Sequence, residues 1–109
     1  MLEGSHWLVT TVAGVTVPEE ARRRVEFSSD RIVGQVGVNR FSAPYEISGA
    51  LMRVGAGMTT RMAGPPEHME LEAAFLRALS GEHVLTLDGD RLLVGPEASG
   101  IVLVRDESA

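Results

Sequence analysis

The fold class is decided by one stretch, residues 83–94, which has the sequence HVLTLDGDRLLV. Val and Thr alternate with Leu over residues 84–87, which is the two-residue period of a β-strand. An Asp-Gly-Asp turn follows at residues 88–90, and a second, mainly apolar run occupies residues 91–94. Two such runs around a short Asp-Gly turn are typical of antiparallel strands. The stretch therefore predicts a β-hairpin.

Similar short runs, rich in Val, Leu and Thr and bounded by Gly, Pro, Ser or Asp, recur along the chain. They occupy residues 6–12, 24–28, 31–36, 45–48, 50–54, 58–62 and 101–105. Sequential hairpins without alternating helices favour an antiparallel sheet that curls into a small barrel or half-barrel. We therefore predict a mainly β (α+β) fold with about eight short antiparallel strands.

One segment, residues 66–80, breaks the pattern of strands. Its apolar residues recur at helical spacing, and they are Leu71, Ala74, Phe75, Ala78 and Leu79. Pro66 and Glu67 suit the first turn of a helix, and Gly81 is a C-terminal stop. We expect one helix over about residues 66–80 that covers one end of the barrel.

The composition excludes several kinds of chemistry. The 109 residues include ten Arg but no Lys and no Cys, and the net charge at neutral pH is −5. Without Cys there is no thiol nucleophile, disulfide or thiolate zinc site, and without Lys there is no P-loop or Schiff-base lysine. The length fits a single domain, residues 1–109.

The acidic balance argues against nucleic acid as a partner, because a duplex-binding surface needs a basic face. The densest basic run, residues 22–24, lies among glutamates and is interpreted as the solvated entry to a strand. No window approaches the roughly 18 consecutive apolar residues of a membrane span, and residues 1–7 do not resemble an export signal. We predict a cytoplasmic chain without a transmembrane segment, or an exported one if a signal segment has been removed.

The candidate catalytic and metal-binding residues do not form a site in the sequence. His6, His68 and His83 are far apart, and His68 with Glu72 supplies only two of the ligands that zinc requires. No Gly-x-Ser-x-Gly motif is present, and the adjacent Ser5 and His6 would point to opposite faces of a strand. We therefore predict no catalytic residue, no cofactor and no metal.

Three motifs occur in a fixed order along the chain. They are LEGSHWLV at residues 2–9, GQVGVNRFS at residues 34–42, and TTRMAGPP at residues 59–66 running into MELE at residues 69–72. In order and spacing these motifs resemble the META domain, the family of the heat-shock protein HslJ. The resemblance covers nearly the whole chain and implies a small β-rich domain with one helix. It also implies a bacterial stress-associated protein or envelope lipoprotein, in a family without established enzymatic activity.

The chain departs from the family pattern at two positions. Members commonly carry Cys where this chain has Val38 and Gly64, a pair thought to be bridged. Because such a bridge stabilises a fold by about 2–4 kcal/mol, its loss must be offset by packing. The absence of the pair also suits a reducing compartment.

The candidate site consists of the motif residues Asn39, Arg40, Thr60 and Arg61, which the family fold implied by the resemblance brings together. These residues either hydrogen-bond the long connections or form a ligand or partner site. The resemblance implies a non-enzymatic module that binds another protein or an envelope component during stress. The alternative is a carrier of a lipid or small hydrophobic ligand in the barrel interior. The sequence identifies neither the partner nor the oligomeric state.

Overall fold

The protein forms ten β-strands and one α-helix in the computed structural model, which describes residues 2–107. The strands are β1 (His6–Val12), β2 (Val15–Thr16), β3 (Arg23–Phe27), β4 (Arg31–Val36), β5 (Arg40–Ser48), β6 (Leu51–Val54), β7 (Met58–Thr59), β8 (Gly81–Asp88), β9 (Arg91–Val94) and β10 (Ile101–Arg105). The helix α1 (Pro66–Leu79) lies between β7 and β8.

Eight of the strands form a closed antiparallel barrel in the order β1, β3, β4, β5, β6, β8, β9, β10. The barrel closes because β10 pairs with β1, which places Trp7 opposite Arg105 and Val9 opposite Leu103. The two shortest strands lie outside this ring, since β2 pairs with β1 and β7 pairs with the first residues of β5. The predicted small antiparallel barrel is confirmed, and it is closed.

The barrel interior is filled by the inward-facing side chains of the strands. In β1, Trp7 and Val9 point inward and are fully buried, whereas Leu8 between them lies half-buried on the outer wall. The largest fully buried side chains on the strands are Trp7, Phe27, Ile32, Met52, Leu92 and Ile101. An eight-stranded barrel is just wide enough for such side chains to fill it.

Helix α1 packs on the barrel through the apolar stripe that the sequence predicts. Phe75 and Leu79 are buried, and the Phe75 ring centroid lies 5.3 Å from that of Phe41 on β5. The helix ends within one residue of the predicted limit. There the Nε2 atom of His83 lies 3.0 Å from the Leu79 carbonyl oxygen and 2.8 Å from that of Ser80. Within residues 2–107 no helix has the length and apolar character needed to cross a membrane.

Strand β5 is longer than the sequence predicts. It begins at Arg40 instead of residue 45 and runs through Pro44. Pro44 is tolerated because the strand changes partner there: residues 40–44 pair with β4, and residues 45–48 pair with β6. A proline that would interrupt a central strand therefore marks the point where β5 passes from one neighbour to the next.

Strand β7 is shorter than the predicted run of residues 58–62. It stops at Thr59, and the backbone N–H of Met62 donates to the side chain of Asn39 instead of to a neighbouring strand. The short strand β2 has no counterpart in the sequence prediction, because two residues carry too little pattern to reveal it.

Candidate functional site

Asn39 is the buried centre of a hydrogen-bond network at the turn between β4 and β5. Its Oδ1 accepts hydrogen bonds from the Thr60 hydroxyl at 2.9 Å and from the Met62 backbone N–H at 2.7 Å. Its Nδ2 donates to the Met62 carbonyl oxygen and to Glu72 Oε2, both at 3.1 Å. One side chain therefore ties the turn to the segment after β7 and to helix α1.

Glu72 completes the network from the helix side. Its Oε1 accepts the backbone N–H of Val38 at 3.2 Å and that of Asn39 at 2.5 Å. The helix approaches the turn this closely because Gly37 has a positive φ of 89° and no side chain. A Cβ at Gly37 would collide with the His68 carbonyl oxygen and would lie 2.9 Å from Glu72 Cβ. The His68–Glu72 side of α1 is thus used for packing and hydrogen bonding.

The structure brings the four predicted site residues together but gives them different roles. The Arg40 backbone N–H donates to the Thr60 hydroxyl at 3.1 Å, and the Thr60 N–H donates to the Arg40 carbonyl at 3.0 Å. The Asn39 and Thr60 side chains are therefore bonded within the fold. The Arg40 and Arg61 side chains are exposed, and neither forms an ion pair with another of residues 2–107.

Arg40 also faces a larger open surface on the outer wall of the barrel. A groove of about 790 Å³ lies over β1, β3, β4 and β5, and we call it the arginine groove. Its defining residues are Leu8, Arg22, Arg23, Arg24, Gln35 and Arg40. Four of the ten arginines of the chain line this groove. Side chains alternate along β3, and Arg23 Nη1 donates to the Val9 carbonyl oxygen at 3.5 Å, so the guanidinium groups on the outer wall are those of Arg22, Arg24 and Arg40.

The strand register explains why these residues meet. Leu8 lies opposite Arg24, Arg24 lies opposite Gln35, and Gln35 lies opposite Arg40. Directly paired residues on neighbouring strands face the same side of a sheet, so the four side chains form one row across four strands. In the next row along β3 and β4, Glu26 lies opposite Val33.

The charges of the arginine groove are partly paired. Arg24 Nε lies 3.1 Å from the buried Asp106 carboxylate, and His6 Nε2 lies 2.9 Å from Glu26 Oε1. Arg22 is exposed and, like Arg40, has no ion pair among the described residues. The groove is thus locally basic on a protein whose net charge is −5.

Sequence reasoning found the parts of this groove but did not join them. It assigned residues 22–24 to a solvated strand entry and placed Arg40 in the motif site. The run of three consecutive arginines in an acidic chain is the feature of the sequence that indicates a basic surface. The link to Arg40 needs the register of β3, β4 and β5, which the sequence pattern does not contain.

The META domain family model matches residues 1–109 of the chain. The chain belongs to the META domain family. No curated protein shows significant sequence similarity to this META domain.

Two solved structures have the same fold. One protein, studied by NMR, is 20% identical with a TM-score of 0.75, and the match covers 94% of this chain and 90% of that one. A second NMR structure, of a protein from Burkholderia xenovorans, is also 20% identical with a TM-score of 0.75, and the match covers 97% of this chain and 84% of that one. These similarities describe the fold of the META domain.

Val38 and Gly64, the two positions at which the resemblance implies a cysteine pair, are in contact. A Cβ built on Gly64 would lie 3.5 Å from Val38 Cβ and 2.6 Å from Val38 Cγ2. The first distance is at the short end of the range found in disulfides, about 3.5–4.5 Å. The Val38 side chain therefore fills the space at Gly64 that a bridge would otherwise occupy.

The described cavities do not lie in the barrel interior. A small apolar pocket of about 230 Å³ is lined by Leu2, Ala50, Leu85, Leu87 and Leu92, and another of about 200 Å³ lies between β7 and the end of α1. Both open to the surface, whereas Trp7, Ile32 and Met52 fill the centre. This packing argues against the alternative of a lipid or hydrophobic ligand carried inside the barrel.

Proposed function

We propose that this META domain is a non-catalytic binding module that holds a protein or an envelope component through the outer wall of its barrel. The observation that carries this proposal is the arginine groove, a concave basic surface that adjoins the motif site at Arg40. Family membership supports a role in stress, since the resemblance of the motifs implies stress-associated relatives.

The use of the motif residues within the fold supports a module without catalysis. Asn39 satisfies both polar atoms of its side chain in the fold, and the Glu72 carboxylate accepts three hydrogen bonds from residues of the turn. Groups bound in this way are held by the fold instead of being presented to a substrate. Within residues 2–107, no three His, Asp or Glu side chains are grouped so that they could hold a metal ion.

We place the domain in the cytoplasm. Val38 and Gly64 stand where relatives commonly carry a cysteine pair, and a fold that does without that bridge is suited to a reducing compartment. The Val38 side chain packs against Gly64 at this place.

Site-specific photo-crosslinking in living cells tests the proposed function. A benzophenone amino acid replaces Gln35 in the groove in one variant and Arg77 on the exposed face of α1 in the other. We expect a reproducible crosslinked product from position 35 that increases under heat or antibiotic stress, and little product from position 77. Equal products from the two positions, or none from position 35, would contradict a binding module that uses this wall.

A further inference from the structure

We propose that the arginine groove binds an extended acidic segment of a protein partner, in which carboxylate side chains alternate with apolar ones. This inference rests on the proposed function and specifies the chemistry of the partner. It is carried by the charge of the groove, by its apolar floor and by its dimensions.

The charge favours carboxylates. Arg22 and Arg40 are exposed, and neither has a carboxylate partner among the described residues, so both guanidinium groups are available to a ligand. A guanidinium group presents parallel N–H donors that match the two oxygens of a carboxylate. Glu19 and Glu26 also line the groove, where four arginines outnumber the two glutamates.

The floor of the groove favours apolar side chains between the carboxylates. Leu8 and Val33 are half-buried and contribute apolar surface next to Arg24 and Gln35. The row from Leu8 to Arg40 crosses four strands, or roughly 14 Å at about 4.8 Å per strand interval. That distance corresponds to about four or five residues of an extended peptide, whose side chains alternate between the two faces.

A long polyanion fits the same surface less well. The whole chain carries a net charge of −5, which repels the dense phosphates of a nucleic acid outside the groove. Trp7 and Tyr45, the only Trp and the only Tyr of the sequence, are buried and offer no stacking platform for bases. A short segment with a few carboxylates can contact the arginines of the groove without extending over the acidic surface outside it.

Fluorescence anisotropy with labelled octapeptides tests the proposal. The probe alternates Glu and Leu, and the comparison peptide alternates Lys and Leu. The groove variant R22E/R40E is compared with the control variant R53E/R77E, in which both arginines are exposed outside the groove. Each reversal changes the charge by two units, so both variants go from −5 to −9, and R53E in addition removes the exposed ion pair between Arg53 and Glu82 at 3.2 Å.

We expect saturable binding of the Glu/Leu peptide that weakens with added salt. Binding falls about tenfold or more in R22E/R40E and stays within about twofold in R53E/R77E. Circular dichroism checks that each variant folds. If R22E/R40E does not fold, R22Q/R40Q replaces it, with an expected loss of about threefold.

The proposal is overturned if the Glu/Leu peptide does not bind, if the Lys/Leu peptide binds as well, or if the two variants lose equal affinity. It is also overturned if only phosphatidylglycerol vesicles or a single-stranded oligonucleotide bind, with the same dependence on Arg22 and Arg40. A crosslinked product at position 35 without peptide binding would reject the acidic segment and leave the proposed function standing.

Discussion

At the scale of single residues, Asn39 links three parts of the molecule that are separate in sequence. Its side chain bonds to Thr60, Met62 and Glu72, and it is only 3% exposed. A buried polar group that loses its partner costs about 1–3 kcal/mol. The network therefore stabilises the fold mainly because several groups would be left without partners if Asn39 were removed.

The substitution Asn39→Ala tests this network. We expect it to lower the free energy of unfolding by about 1–3 kcal/mol, because partly buried groups of Met62 and Glu72 lose their hydrogen-bond partners. Urea unfolding followed by Trp7 fluorescence measures the change. The control Arg61→Ala, at an exposed neighbouring position, is expected to change stability by less than about 0.5 kcal/mol. Equal effects of the two substitutions would contradict a structural role for Asn39.

The buried hydroxyl of Tyr45 predicts that the stability of the fold depends on pH in the alkaline range. Burial raises the pKa of the phenol above its usual 10.0, with Glu3 and Asp30 adding repulsion, and the hydroxyl donates to the Ser28 carbonyl at 2.6 Å. The folded state thus holds the proton more tightly than the unfolded state. The resulting stabilisation is present below about pH 10 and is lost as the pH rises through the folded-state pKa.

Ultraviolet absorbance of the tyrosinate group measures this directly, since the sequence contains a single Tyr. We expect a titration midpoint above 10 in the folded protein and a return to about 10 in denaturant. A folded-state midpoint at or below 10 would show that the Tyr45 hydroxyl is not held as described.

The contact between Val38 and Gly64 predicts that a disulfide can be introduced. The double variant V38C/G64C places two sulfurs where the Cβ separation is 3.5 Å and closes a loop of 27 residues, from 38 to 64. We expect the oxidised form to be more stable than its reduced form by about 3.5 kcal/mol. Thermal unfolding with and without reductant measures the difference. No spontaneous bridge under oxidising conditions would contradict the geometry at these positions.

At the scale of elements, the packing of α1 on the β4–β5 turn depends on Gly37. Gly37 has a φ of 89°, which residues with a side chain rarely adopt. In addition, a Cβ at this position would collide with backbone and side-chain atoms of α1. Gly49 is a matched control, because its φ is 62° but its Cβ would meet no atom within 4 Å. The two glycines separate the cost of backbone conformation from the cost of contact.

We expect Gly49→Ala to cost about 1 kcal/mol and Gly37→Ala about 2–4 kcal/mol, since the second substitution also overpacks the helix contact. Chemical denaturation gives both values, and amide hydrogen exchange shows whether the extra loss is concentrated in α1. Equal losses of unfolding free energy at Gly37 and Gly49 would mean that α1 is not in close contact with the turn at Gly37.

The elements with strong local patterns could be predicted from the sequence, and the others could not. The helix and the hairpin at residues 83–94 follow from side-chain period and turn residues alone. The first half of β5 lies outside the predicted run of residues 45–48, and a strand through Pro44 depends on the change of partner strand at that point. The predicted run of residues 58–62 is longer than strand β7, because the Met62 backbone N–H bonds to Asn39, a side chain distant in sequence, instead of to a neighbouring strand.

At the scale of the whole molecule, barrel closure joins the two ends of the described chain. The pairing of Trp7 with Arg105 is a long-range register that local patterns do not encode. The same limit applies to the candidate site. The resemblance to the family brought Asn39, Arg40, Thr60 and Arg61 together, but the groove that extends from Arg40 to residues 22–24 depends on the register of four strands.

The central claim is that this META domain binds an acidic segment with alternating apolar side chains on the outside of its barrel. Alternation along the strands makes the claim testable, since Leu8 and Val33 lie on the outer wall while their neighbours Val9 and Ile32 are fully buried inside. The direct measurement is the set of intermolecular NOEs between the Glu/Leu octapeptide and methyl groups of the domain. The account predicts NOEs to the Leu8 and Val33 methyls, whereas NOEs to the Val9 and Ile32 methyls, or no NOEs at all, would contradict it.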